Sequence, residues 1–167
     1  MATHRFPILG GVLPLDANAY LAPYTAANSG STQNVFAWRM SGTAVSMLAG
    51  VFRLPANYVG TPALKVLWTS QTTSGNVVFN LRHRTMTPGT DLMDISTSPT
   101  ERADTVTTSS KPSAADAVEE SSISLTTTDL VAGELVYFEF EREATHASDT
   151  KTDWVEVLDV SMQYADA

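Results

Sequence analysis

Cysteine is absent from all 167 residues, which excludes disulfides, thiol catalysis and thiolate metal sites and leaves stability to packing and assembly. Long apolar runs are missing too. No stretch approaches the roughly 20 apolar residues of a membrane helix, so no membrane partner is expected. The start, MATHRFPILGGVLPLDANAY, lacks the basic opening and long apolar run of a secretory signal. The expected product stays soluble where it is made, or leaves inside a larger particle or by cell lysis. Basic groups are scarce, 10 Lys and Arg against 18 Asp and Glu for a formal net charge of −8. Sequence-independent grip on phosphate backbones needs clustered Lys and Arg, so nucleic acid is not expected as a partner. Also missing are a His-x-x-x-His pair, a G-x-S-x-G elbow and a phosphate-cradling glycine loop, and with them the usual support for metal-assisted, serine or phosphoryl chemistry.

What is present points to β structure. The chain is one domain long, and 43% hydrophobic residues suffice for one core. Thr and Ser make up 38 residues, and β-branched Thr favours a pleated strand over a helix interior. Charge is divided along the chain. Residues 1–90 hold six basic groups and one acid, while residues 91–167 hold four basic groups and seventeen acids. Two readings stand: oppositely charged surfaces that meet between subunits, or basic and acidic strands that interleave within one sandwich.

Residues 1–34 mix Pro7, Pro14, Pro23, Gly10, Gly11 and Gly30 with short apolar pieces, which fits an extended N-terminal arm with one or two short strands. Such an apolar arm should lie along its own sheet, a neighbouring subunit or a larger partner. Period-2 alternation then dominates. Strands are expected over 34–40, 44–54, 63–70, 76–84, 120–126, 134–143 and 154–164, with 143–153 as a loop. In the fourth, Val77, Phe79, Leu81 and His83 share a face opposite Val78, Asn80, Arg82 and Arg84. In the last, Leu158, Val160, Met162 and Tyr164 alternate with Val157, Asp159, Ser161 and Gln163. The polar stretch 85–121 reads as a long loop with an edge strand, and 113–121 is its one plausible helical turn. The expected fold class is all-β: a jelly-roll β-sandwich of about eight strands over residues 35–167, preceded by the arm.

Strand 44–54 is apolar on both faces, with Leu48, Phe52 and Leu54 on one and Val45, Met47 and Val51 on the other. A strand of this kind needs cover on both sides. Val45, Met47 and Val51 are therefore expected at a subunit interface of a symmetric oligomer, the alternative cover being the arm itself.

Catalytic and ligand chemistry finds little support, and the chain is not expected to be an enzyme or to hold a metal or cofactor. His83 reads as a hydrogen-bonded histidine at the edge of the core. Glu139 and Glu141, two apart on one strand face, have the spacing of a glycosidase pair, but with Arg82 and Arg84 they also describe a cross-strand charge ladder. DTKTD at 149–153 lacks the ligand density of a calcium loop. Among the tryptophans, Trp68 shares a face with Leu64 and Val66 and belongs to the core. Trp154 opens a strand after a polar loop and is the expected exposed aromatic and candidate glycan contact.

The segment PANYVGTPALKVLWTSQTTSGNVVFNLRHR (55–84), with Pro55, Tyr58, Gly60, Pro62, Trp68, Thr73, Ser74 and Gly75, resembles jelly-roll virion proteins of tailed bacteriophages, a group that includes capsid decoration (cement) proteins. The strands at 120–143 and 154–164 resemble their closing strands. The residues themselves predict a turn at Gly60–Pro62 and a hairpin-like turn at 72–75. The resemblance implies a homotrimer that sits on the capsid surface of a virion and strengthens it, with the major capsid protein as partner. The arm residues Phe6, Pro7, Ile8, Leu9, Val12, Leu13 and Leu15 are the expected capsid contact. The alternative is a glycan- or receptor-binding module.

Overall fold

The computed structural model describes residues 3–7, 13–14, 17–26, 32–87, 89–90, 102–103, 107–109, 112–128 and 130–167. Among them are twelve strands and no helix: β1 (Thr3–Pro7), β2 (Leu13–Pro14), β3 (Ala19–Thr25), β4 (Thr32–Met40), β5 (Ser46–Arg53), β6 (Tyr58–Thr69), β7 (Val77–Met86), β8 (Arg102–Ala103), β9 (Thr107–Ser109), β10 (Glu119–Ser124), β11 (Leu135–Arg142) and β12 (Val155–Asp166). All seven strands expected from alternation form, as β4 to β7 and β10 to β12.

The strands make two six-stranded antiparallel sheets, the layering of a jelly-roll sandwich. Sheet A runs β10-β6-β12-β4-β3, with β1 also paired to β12; sheet B runs β2-β5-β11-β7-β8, with β9 also paired to β7. Their inner faces close on one core, in which Phe79 packs against Trp68 and Phe140 with ring centroids 5.8 and 5.1 Å apart. Trp68 is fully buried, and its indole N–H donates to Ser121 at 2.8 Å, so the aromatic enters the core without an orphaned donor.

Several local expectations are corrected. Gly60 and Pro62 do not turn the chain into β6 but lie inside it. Gly60 takes φ +74°, and the pairing with β12 shifts between Gln163 and Ala165, opposite Val59 to Ala63. This is a bulge, which glycine permits at positive φ. A second bulge between Val157 and Asp159 reverses the alternation of β12. Val155 and Val157 thereby join Val160 and Met162 in the core, where strict period 2 had put Val157 with Asp159. Residues 70–76 form no hairpin either, because β6 and β7 belong to different sheets and the segment crosses between layers. No helical turn forms at 113–121; Asp116 has φ +64° and β10 begins at Glu119.

The N-terminal residues are built into the chain's own sheets. Phe6 and Pro7 stand opposite Met162 and Ser161, Leu13 stands opposite Ala49, and β3 pairs with β4. Ile8, Leu9, Val12 and Leu15 lie outside the described residues. On the outer face of sheet B, Val45 and Met47 are half-buried and Val51 is 41% exposed.

Charge interleaves. Arg5 and Lys65 pair with Glu120, Arg39 with Glu156, Arg82 with Glu141 and His4 with Asp166, each joining the basic first half to the acidic second half. The strand order explains it, since β10 and β12 flank β6 and β11 lies between β5 and β7.

The two faces of sheet B should respond very differently to truncation. Phe140→Ala is expected to cost about 3–5 kcal/mol, and Val51→Ala less than about 0.5 kcal/mol, measured by urea unfolding. Equal losses would contradict the assignment of inner and outer faces.

Candidate functional site

The loop at 143–153 is held by two buried cations. Arg142 follows Phe140 on the inner face of β11 and is wholly buried. Its guanidinium donates to both carboxylate oxygens of Asp149 at 3.1 and 3.2 Å, to the carbonyls of Asp153 (2.7 Å) and Met40 (3.4 Å), and to that of Lys151. Lys151, also buried, donates from Nζ to the Thr72 carbonyl and hydroxyl, both at 2.9 Å, and to the Ser74 carbonyl at 3.0 Å. Burial pushes its ammonium below the usual lysine range. The approach is close enough to demand glycine: a Cβ on Gly75, at φ +78°, would lie 2.6 Å from the Lys151 Cα.

The carboxylates of DTKTD are thus engaged internally. Asp149 also accepts from the N–H groups of Val78 and Lys151, and Asp153 accepts from the Thr72 hydroxyl at 2.7 Å.

Fixing this loop fixes Trp154, the residue before β12. Trp154 is 37% exposed and meets Tyr20, 39% exposed, edge to face with centroids 5.5 Å apart. Arg39 lies 5.3 Å from the Trp154 ring centroid, a cation–π arrangement. Its Nε stands 3.3 Å from Glu156 Oε1. In register, Tyr20 faces Arg39 and Arg39 faces Glu156. The three make a row across the outer face of sheet A, because their neighbours Ala19, Met40, Val155 and Val157 point into the core.

The β3–β4 hairpin continues beyond this row. Of β4, residues 38–40 pair with β12, and the far part of the hairpin reaches across the end of the sheet. There Gln71 donates to the Thr25 carbonyl and the Tyr24 hydroxyl donates to Asp116. Glu156 is only 2% exposed, and its Oε2 has no hydrogen-bond partner among the described residues. Burial pushes the Glu156 carboxyl up to about 7, against the pull of Arg39 and Lys151 and with help from Asp116. Burial and the Asp116 carboxylate push Tyr24 up to about 12.

Sheet B places the other candidates. Glu139 accepts from the Tyr137 hydroxyl at 2.7 Å, Arg82 lies 3.6 Å from Glu141, and Arg84 sits 5.1 Å from the Tyr137 ring centroid. Both carboxylates are buried; of the expected ladder only the Arg82–Glu141 pair forms among the described residues, while Glu139 bonds to Tyr137 and Arg84 stacks on the Tyr137 ring. His83 is buried, with Nε2 3.2 Å from the Thr126 carbonyl. Sequence reasoning singled out Trp154 and missed Tyr20, Arg39 and Glu156. These belong to three separate strands, and no local spacing joins them.

Removing one partner of a buried ion pair leaves the other uncompensated, so Arg142→Ala should cost about 3–5 kcal/mol and raise amide exchange through 143–153. A loss confined to Tm, with exchange in the loop unchanged, would contradict the staple.

For Glu156 the folded pKa exceeds the unfolded one, so the stability it contributes is complete below about 4.5 and disappears as pH rises through about 7. At about 1.4 kcal/mol per unit the change amounts to at most about 3–4 kcal/mol. Glu156→Gln escapes this loss. The Tm of the variant relative to wild type should therefore rise by several degrees between pH 5 and pH 8, and a flat difference would refute the assignment.

No protein-family profile and no curated protein matches the chain. Solved structures do. A family 35 carbohydrate-binding module from Clostridium thermocellum is 13% identical, with 97% of this chain and 98% of that one covered at a TM-score of 0.50. CBM35 from Paenibacillus barcinonensis is 11% identical, with 95% and 97% covered at 0.51. The CBM22-2 xylan-binding domain of Xyn10C from the same organism is 12% identical, with 97% and 99% covered at 0.50. The jelly roll implied by the phage resemblance therefore holds, but the capsid-cement function does not. Each of these neighbours is a carbohydrate-binding module, and the phage resemblance rested on turn and strand residues that specify a fold without specifying a shell.

Proposed function

We propose that this domain is a carbohydrate-binding module whose site is the Trp154–Tyr20 pair together with Arg39. The carrying observation is a pair of aromatic rings, each more than a third exposed, at the end of a rigid sandwich. A sugar ring presents an apolar C–H face and a rim of hydroxyls. Trp and Tyr offer the matching apolar surface with a polar tip, and the Arg39 guanidinium supplies donors beside them. Glu156 acts through Arg39 by fixing its orientation. Nothing in this mode of binding requires chemistry on the ligand. The fold shared with carbohydrate-binding modules supports the reading, and the net charge of −8 favours neutral glycans over polyanionic ones.

A glycan array with wild type, Trp154→Ala and Tyr20→Ala tests it. Saturable binding of wild type to a neutral glycan is expected, weakened about tenfold or more in Trp154→Ala, the equivalent of about 1.4 kcal/mol. Binding that survives both substitutions undiminished would overturn the site.

A further inference from the structure

The row of Tyr20, Arg39 and Glu156 ends on a carboxylate sealed from water. On the outer face of sheet A, Glu156 stands opposite Arg39 of β4 on one side and Thr69 of β6 on the other, and only 2% of it is exposed. Its Oε2 has no hydrogen-bond partner among the described residues. Neither has Arg39 Nε, which lies 3.3 Å from Glu156 Oε1. The two groups are therefore coupled by charge more than by a formed hydrogen bond. A buried carboxylate with a bare oxygen loses most of the solvation that favours its anion and depends on neighbouring cations to ionise.

The charged groups that face Glu156 come from several elements. Burial carries its carboxyl up to about 7 against the pull of Arg39, with Asp116 from the segment before β10 adding to the rise and Lys151 from the 143–153 loop opposing it. Tyr24 of β3 donates its hydroxyl to Asp116 and, pushed up to about 12, stays neutral near pH 7. Along β12 itself Val155, Val157 and Val160 point into the core, so the next outward carboxylate is Asp159. Arg39 passes the state of Glu156 to the surface, because its guanidinium lies 5.3 Å from the Trp154 ring centroid, and Trp154 meets Tyr20 at 5.5 Å.

We infer that Glu156 is a proton switch for the aromatic site: ionised, it pairs with Arg39 and sets the guanidinium for a sugar; protonated, it leaves Arg39 uncompensated and weakens binding. The inference deepens the carbohydrate-binding reading of Trp154, Tyr20 and Arg39 and rests on it. The physical reason is the cost of covering a cation. A sugar laid over Trp154 and Arg39 excludes water from the guanidinium, which strengthens its attraction to an ionised Glu156. With Glu156 neutral, the same sugar would bury a charge that has no counterion. Linkage is reciprocal, so a ligand that prefers the ionised form also drives the proton off Glu156. A coupling of about fivefold, the low end of the usual range, lowers the midpoint of Glu156 by about 0.7 pH unit in the complex.

The test has two arms. In the free protein, the Glu156 carboxyl ¹³C, the Arg39 Nε–H and the Trp154 indole N–H are followed by NMR from pH 5.5 to 8.5 in wild type and Glu156→Gln. The three wild-type signals should share one midpoint near 7, and the Arg39 and Trp154 signals of the variant should be flat. In the second arm, binding to soluble xylan, glucan, galactan and mannan is measured by calorimetry at pH 5.5 and 8.5. At least one polymer should bind wild type about fivefold more tightly at pH 8.5, while Glu156→Gln, which mimics the protonated side chain, should keep the weaker Kd at both. Arg39 and Trp154 signals that stay flat while Glu156 titrates overturn the switch. Binding that is equal at the two pH values overturns it while leaving the carbohydrate site standing. A wild-type pH dependence that persists in Glu156→Gln belongs to His4, His83 or His146 and overturns it as well. No binding of any polymer at either pH overturns the carbohydrate reading and the switch with it.

Discussion

A single guanidinium, that of Arg142, holds together the end of the sandwich on which the candidate site stands. It is wholly buried at the last position of β11 and bonded to Asp149 and to carbonyls of Met40, Lys151 and Asp153. A charge in that position is tolerable only if nearly every donor is satisfied, which forces the 143–153 loop to fold back over it. Lys151 repeats the device against the 72–74 segment of the neighbouring crossover. The outcome is a loop of ordinary polar composition that behaves as a rigid bracket and delivers Trp154 to the outer face of sheet A. Function in this reading depends on a buried polar network more than on the apolar core.

The same economy governs the rest of the electrostatics. A chain whose first half is basic and whose second half is acidic could have folded into a polarised molecule. The strand order instead lays acidic strands beside basic ones, and among the described residues four ion pairs and the His4–Asp166 contact join the halves. The His4–Asp166 and Arg5–Glu120 contacts are largely exposed and worth little each, whereas Arg39 and Arg82 each meet a buried carboxylate. Their value lies in placement: Arg39 beside Trp154, and Arg5 and Lys65 on the outer face of sheet A, are held by carboxylates from the other half of the sequence.

Alternation alone located seven strands, the inward faces of β7 and β11, the burial of Trp68 and His83, and the exposure of Trp154, because these follow from neighbours in sequence. It failed wherever a register changed. The bulge at Leu158 moves Val157 into the core, the bulge at Gly60 keeps one strand where a turn was expected, and the crossover at 70–76 looks like a hairpin turn until the partner strands are known. Tyr20, Arg39 and Glu156 were illegible for a related reason. Each sits in an unremarkable alternating strand, and only the pairing of β3, β4 and β12 aligns them. The phage resemblance misled on function because it rested on turn and strand residues, which many unrelated jelly rolls need.

The three tryptophans allow a direct measurement. Trp68 is fully buried and Trp38 half-buried, so Trp154 supplies the emission most open to a collisional quencher. Acrylamide quenching is to be followed with and without soluble xylan, glucan, galactan and mannan. If Trp154 carries the binding surface, at least one polysaccharide will shield a quenchable fraction saturably, and Trp154→Ala will lack that fraction from the start. Quenching that is identical at every polysaccharide concentration, for all four polymers, would contradict a carbohydrate site at Trp154.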